Sequence, residues 1–289
     1  MKLFNHIKSY FVSFKKAFGL FIDYNGLKLS AALSYYTVFS IAPFLIVIIS
    51  LAGIFLGRQA VEGEVYGEMR GLVGSDAAIQ VQQIIQNIQE SKHSTIGGII
   101  GFVVLIVGAS GVFSEIQSSI NYIWSINQTS KKGILVLIIK KLISFSLLIS
   151  MAFVLMVSLI VNALIDILSN RLRNYFDDST VKIFYGVNVL LIFIIITLLF
   201  TLIFKVLPNA IIRWRDAITG AVVTAVLFLL GKFLIGFYLG NSRIGLMYGT
   251  TASIVIIMLW VYYSSIILYF GACFTKIYAK EYGNEIIAG

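Results

Sequence analysis

The stretch AITGAVVTAVLFLLGKFLIGFYL, residues 217–239, decides the fold. It is apolar from end to end and carries one charged residue, Lys232. A helix crossing a membrane needs about 20 predominantly apolar residues. A soluble helix of that length would need a polar face, and none is present here.

Working outward, five further windows have the same character, at about Leu29–Gly57, Ile96–Ile120, Ile134–Leu164, Ile183–Val206 and Gly249–Phe274. The whole chain is 59% hydrophobic and only 12% charged, where soluble domains carry roughly 25% charged residues. The sequence therefore predicts an all-α membrane protein. Its architecture is a bundle of six transmembrane helices in one domain covering residues 1–289. Pro43, in SIAPFLI, removes a helical hydrogen bond from the first window and is expected to kink it. Cys273 stands alone, so no disulfide forms within the chain. The first 28 residues lack the apolar core of a cleavable signal peptide.

Charge gives the orientation. With six spans, one side carries Lys2, Lys8, Lys15, Lys16, Lys28, Lys131, Lys132, Lys140, Lys141, Lys205, Arg213, Arg215, Lys276 and Lys280. The other carries half as many basic residues: Arg58, Arg70, Lys92, Arg171, Arg173, Lys182 and Arg243. The positive-inside rule puts both termini in the cytoplasm. The net charge of +9 is then explained by cytoplasmic loops rather than by nucleic-acid binding.

Two segments outside the spans have helical periodicity. Phe4, Ile7, Phe11, Phe14, Phe18 and Phe21 recur at steps of three and four, with Lys8, Lys15 and Lys16 mainly off that stripe. Residues 1–28 read as a basic amphipathic helix, lying in the inner interface or packed against the bundle. Residues 77–90 place Val81, Ile84, Ile85 and Ile88 on one face and predict a short helical outer loop.

Ionisable groups within lipid are costly unless paired or wet, which makes them functional candidates. Lys232 either faces a cavity that holds an anion such as a lipid phosphate, or snorkels to the outer interface. Glu115 lies late in the second window with Gln117 and Asn121, at a depth similar to Arg215 and Asp216. Glu115–Arg215 or Asp216–Arg213 pairs would neutralise charge at the inner mouth, or these residues only cap helix ends. Tyr35 and Tyr262 belong to aromatic-polar sets (Ser34, Tyr35, Tyr36 and Thr37; Trp260, Tyr262 and Tyr263) that would line a polar interior or an interfacial belt. Gly97 and Gly101, like Gly236 and Gly240, have GxxxG spacing that permits close helix approach.

Motifs of catalysis are missing from the sequence. There is no Walker loop. The two histidines, His6 and His93, fall on opposite faces of the predicted topology, so no metal centre is expected. The expectation is a non-enzyme without cofactor.

Four runs, SAALSYYTVFSIAPFLIV (30–47), INYIW (120–124), RWRDAITGAVVTAVLFLLGKFLIGFYL (213–239) and LMYGTTASIVIIMLWVYYSSIILYFGACFT (246–275), together resemble the YihY/BrkB membrane protein family. The resemblance covers nearly the whole chain and implies a six-helix bacterial inner-membrane protein. It singles out Tyr35, Ser40, Pro43, Asn121, Trp124, Pro208, Arg215, Asp216, Gly220, Lys232, Tyr248, Gly249, Trp260 and Tyr262; Glu115 is outside the pattern. Members have carried ribonuclease and virulence-factor labels and have been connected with envelope lipid transport. The ribonuclease label does not fit the residues above. The resulting expectation is transport, or assistance to transport, of anionic envelope lipids through a polar cavity within the bundle. The partners expected are membrane lipids and envelope lipid-transport proteins, with no nucleic acid. A small-solute or ion transporter and a non-transporting scaffold are the alternatives.

Overall fold

The structure is a computed structural model of the chain that describes residues 2–40, 111–126, 178–241 and 252–289, with positions 63, 66, 67, 79 and 82. Helix α1 spans Lys2–Asp23. A second helix, α2, covers residues 26–40, and α3 covers residues 111–123. Then come α4 (Asp178–Val206), strand β1 (Ala210–Ile211), α5 (Trp214–Asn241), α6 (Ala252–Tyr282) and strand β2 (Ile287–Ala288).

Three helices are long and apolar enough to cross a membrane, through Val189–Val206, Trp214–Ile235 and Val255–Tyr282. Only 22%, 28% and 44% of these windows are buried within the protein, so more than half of each is left half-buried or exposed. That distribution suits lipid as the surrounding solvent. Pro43 and the third predicted span lie outside the described residues, as does nearly all of the outer loop.

Two left-handed residues punctuate the chain. Asn25 (φ 54°) ends α1, and its carbonyl then accepts the first amides of α2, from Lys28 and Leu29. Asparagine is among the few side chains that visit this region readily. Gly26 follows because the Phe21 ring occupies the space a side chain would need. Ser125 (φ 57°) ends α3: the Ser125 amide donates to Tyr122 O at 3.0 Å and the Ile126 amide to Asn121 O at 2.9 Å. This is the Schellman arrangement, which usually employs glycine.

Helix α5 packs between α4 and α6, and α1 lies along α6. The buried core runs through α3 (Phe113, Ile116, Ile120, Ile123), the end of α4 (Phe204) with the adjoining Leu207, and the C-terminal half of α6 (Leu268, Tyr269, Phe274). Where α5 crosses α6, small residues are in register: Gly220 faces Thr275, and Gly271 faces Thr224. The predicted phenylalanine stripe of α1 divides. Phe21, with Ser13 and Ala17, is buried, while Phe14 and Phe18 stand exposed. Lys16 and Ser13 both reach Glu281, so the two terminal segments share one end of the molecule.

The fold is helical apart from a two-residue antiparallel ribbon, in which Ala210 pairs with Ala288 and Ile211 with Ile287. The ribbon closes the same end of the molecule, where α4 hands over to α5.

Candidate functional site

Polar chemistry collects at the junction of α3, α4 and α5. Asn121 is fully buried, and its Oδ1 accepts the Asn209 backbone amide at 2.9 Å. One helical turn earlier, Gln117 Nε2 donates to Leu207 O at 2.6 Å and, more weakly, to Asn209 Oδ1 at 3.4 Å. The loop after α4 is thus held by two amide side chains of α3. Pro208 suits this loop because it supplies no amide that would need a partner.

Beside the loop is a cavity of about 400 Å³, lined by Gln117, Lys205, Leu207, Pro208, Asn209 and Trp214 among others. Lys205 donates to Ile212 O and lies 5.5 Å from the centre of the Trp214 ring. An ammonium over an indole is favoured by the ring quadrupole. Trp214 is 56% exposed, so the cavity opens to the surroundings.

A second polar node ties α6 to both left-handed turns. Lys276 Nζ donates to Ile123 O (2.7 Å), Ser125 Oγ (2.9 Å) and Tyr24 OH (3.2 Å). Tyr24 OH and Ser125 Oγ are 2.6 Å apart. The Ser125 hydrogen bond, helped by Lys276, lowers the Tyr24 phenol below its ordinary value of 10.0. Trp124 Nε1 donates to Ala272 O at 2.9 Å in the adjoining core.

The residues singled out in the sequence are spread over the molecule. Asn121 belongs to the loop anchor. Asp216 is buried, and its carboxylate accepts a long 3.4 Å bond from the Asn284 amide beyond α6. Arg215 is exposed at the start of α5. Glu115 is half-buried and accepts from Ser119 Oγ at 3.1 Å. Neither the Glu115–Arg215 nor the Asp216–Arg213 pair forms; Lys16–Glu281 is the ion pair among the described residues. Asp216 instead serves the α6 terminus, packed so closely against Gly283 that a side chain there would collide with its carboxylate.

Lys232 is half-buried on α5, between the exposed Leu230 and Phe233, and makes no hydrogen bond or ion pair with another described residue. Its neighbour Gly231 lies against the Tyr263 hydroxyl. Tyr262 is half-buried on α6, and Tyr35 is 55% exposed on α2, edge-on to Tyr36. Lys232 does not line the cavity beside the α4–α5 loop. Counting eighteen residues at 1.5 Å each, it stands about 27 Å along α5 from Trp214. The cavity cation, Lys205, entered the sequence reading only as a loop charge, as did Lys276. Pro208, a position the family resemblance singles out, lines the cavity. Among the described residues, no three His, Cys, Asp or Glu side chains converge as a metal site would require.

A family model described as Virulence factor BrkB matches residues 17–287. The chain belongs to the BrkB family. The BrkB match takes in both polar sites, from α1 to the β1–β2 ribbon. Relatives named UPF0761 membrane protein include those of Stenotrophomonas maltophilia R551-3 (25% identical over 256 residues, 87% of this chain and 57% of the relative). Others are found in Alcanivorax borkumensis (28% over 278 residues, 93% and 60%) and Ralstonia nicotianae (26% over 254 residues, 85% and 54%). The chain spans little more than half the length of these curated relatives. No solved structure is significantly similar to it. The relatives' name agrees with the apolar helices: this BrkB-family chain is a membrane protein.

Proposed function

We propose that this chain is a polytopic inner-membrane protein that moves anionic envelope lipids between leaflets, or assists their movement, with both termini in the cytoplasm. The observation that carries this reading is Lys232. A cation flanked by exposed Leu230, Phe233 (77% exposed) and Leu234 has hydrocarbon for its neighbours, not water. No described residue offers it a counter-charge. An anionic lipid phosphate supplies one, and the long lysine stem lets the ammonium meet it at headgroup level.

The two cations of this region favour the same reading. Lys205 stands over Trp214 at the start of α5, and Lys232 lies about 27 Å further along that helix by helix rise, close to the roughly 30 Å hydrocarbon thickness of a bilayer. With the termini in the cytoplasm, Lys205 meets inner headgroups and Lys232 outer ones. Tyr35, Tyr262 and the neighbouring Tyr263 provide hydroxyls for a headgroup. The movement is downhill, ion-coupled or driven by an envelope lipid-transport partner, because no nucleotide-binding motif is present in the sequence.

The test places the protein in vesicles and follows labelled phosphatidylglycerol between leaflets. Transfer faster than in empty vesicles is expected, slowed severalfold by Lys232→Ala and preserved by Lys232→Arg. No acceleration by the wild type, or equal rates for the wild type and Lys232→Ala, removes the reading.

A further inference from the structure

The cavity between α4 and α5 has a donor set of which the lipid-movement reading uses Lys205 alone. Its cation is Lys205. An ammonium has three donor hydrogens; one serves Ile212 O and the indole of Trp214 lies beneath the group, which leaves hydrogen-bonding capacity open. Gln117 engages Asn209 Oδ1, so the amide oxygen is turned to α3, and the Asn209 NH₂ makes no hydrogen bond to a described residue. Trp214 adds an indole N–H. Among the described residues that line the cavity, which include Val206, Ala210 and Gly289, no side chain is acidic. Lysine, amide and indole donors with no acidic side chain among them are complementary to an anion with several acceptor oxygens. At about 400 Å³ the space is far larger than a halide needs and falls within the range of small-ligand sites.

The surroundings indicate which anion. From the cavity rim, exposed apolar residues follow each helix at steps of four: Leu190, Ile194 and Leu198 on α4, and Ile218, Val222, Val226 and Leu230 on α5. Val206 is exposed at the rim itself. A phosphate ester seated at Lys205 would have hydrocarbon tracks leading directly away from it. A free anion would have no use for them.

We infer that this cavity is a headgroup site for one anionic phospholipid, its phosphate held by Lys205, Asn209 and Trp214 and its acyl chains lying along the outward faces of α4 and α5. The site rests on the membrane assignment alone. It holds a lipid whether or not the protein moves lipid between leaflets.

The experiment uses the full chain in nanodiscs of phosphatidylcholine doped with phosphatidylglycerol, ejected into a native mass spectrometer. One retained phosphatidylglycerol per chain is expected. Lys205→Gln lowers its retention about tenfold or more, the size expected for one charge-assisted hydrogen bond, and Lys205→Arg keeps it. Asn209→Asp is the second variant. It preserves the acceptor for Gln117 and the backbone bond to Asn121, so the loop stays anchored while a donor becomes a repelling charge; retention falls by a similar factor with an unchanged thermal midpoint. Equal retention by the wild type and Asn209→Asp overturns the inference. Displacement of the lipid by inorganic phosphate alone also overturns it, assigning the cavity to the free ion. Lys232→Ala leaves retention unchanged, so failure of the leaflet-transfer assay and failure of this one are separate results.

Discussion

Gly220 of α5 lies directly against the hydroxyl and β-carbon of Thr275 on α6, and Gly271 of α6 meets Thr224 of α5 in the same way. The two segments, GAVVT and GACFT, are one G-x-x-x-T pattern met from both sides of an antiparallel crossing. Each threonine hydroxyl is satisfied within its own helix, by Gly220 O for Thr224 and Gly271 O for Thr275, both at 2.7 Å. The threonines therefore bring no unpaired polar group to the contact, and the glycines let the backbones close. A methyl group at Gly220 has no room. Gly220→Ala is expected to destabilise by about 1–3 kcal/mol, the usual cost of overpacking. Thr275→Ala in the same chain removes the colliding atoms and recovers part of the loss. The check is a double-mutant cycle in detergent-solubilised protein, followed by helical circular dichroism. Additive losses would mean that the two positions do not meet.

Lys276 is expected to matter for stability more than an exposed lysine does. Its ammonium joins the last carbonyl turn of α3, the Ser125 turn and Tyr24, so it links three chain segments. Lys276→Met keeps the aliphatic stem but leaves Ile123 O without its donor. A loss of about 1.5–3 kcal/mol follows for hydrogen bonds to a charged group. Lys280→Met, on the exposed side of the same helix, is the comparison and should change stability little.

The phenol of Tyr24 gives that node a pH signature. Its folded value lies below the ordinary 10.0, first through the Ser125 hydrogen bond and then through Lys276. A depressed acid favours the ionised form in the folded state. The stability this brings is fully present only above the unfolded value of 10.0, and it is lost as pH falls through the folded value. At neutral pH Tyr24 ionisation contributes none. The chain has 15 tyrosines, so the measurement is an ultraviolet titration of the wild type minus Tyr24→Phe. Ionisation below 10.0 is expected, and Ser125→Ala should move it back up.

How much of this was legible follows from the range of each interaction. The membrane class is written in runs such as 217–239, because a span is a local property. The predicted windows at 183–206 and 217–239 overlap closely with helices that are long and apolar enough to cross. Helix α6 continues past Phe274 to Tyr282. Hydropathy counts Lys276 as a loop charge, whereas in the fold its ammonium turns back onto carbonyls and the helix carries on. Lys205 was obscured for the same reason. The anchors of the cavity were illegible in another way. Asn121 and Asn209 are 88 residues apart, and nothing local to either marks the other as its partner. The G-x-x-x-T repeat is readable in the sequence, but a glycine and a threonine advertise close packing less strongly than the two glycines of a GxxxG pair.

The last expectation concerns the residue that joins fold to cavity. Asn121 is enclosed by the core, its Oδ1 holds the Asn209 amide, and its own Nδ2 is buried without a hydrogen-bond partner. Asn121→Leu keeps the branched shape and heavy-atom count of the side chain, at a larger volume, and removes that orphan donor, which by itself favours the variant. It also strips the Asn209 N–H of its acceptor at a partly buried position. A lost acceptor costs about 1–3 kcal/mol, and relief of one buried N–H offsets only part of that. A modest net destabilisation is therefore expected. The larger effect should fall on the cavity, because the Asn209 side chain is then held only by the weak 3.4 Å bond from Gln117 and its backbone only through the Gly289 amide on its carbonyl (3.1 Å), so its NH₂ is less firmly aimed. Retention of phosphatidylglycerol should drop while the thermal midpoint changes little. If retention survives in Asn121→Leu, the loop after α4 holds its shape through Gln117 and Leu207, and Asn121 is a core residue with no part in positioning the cavity.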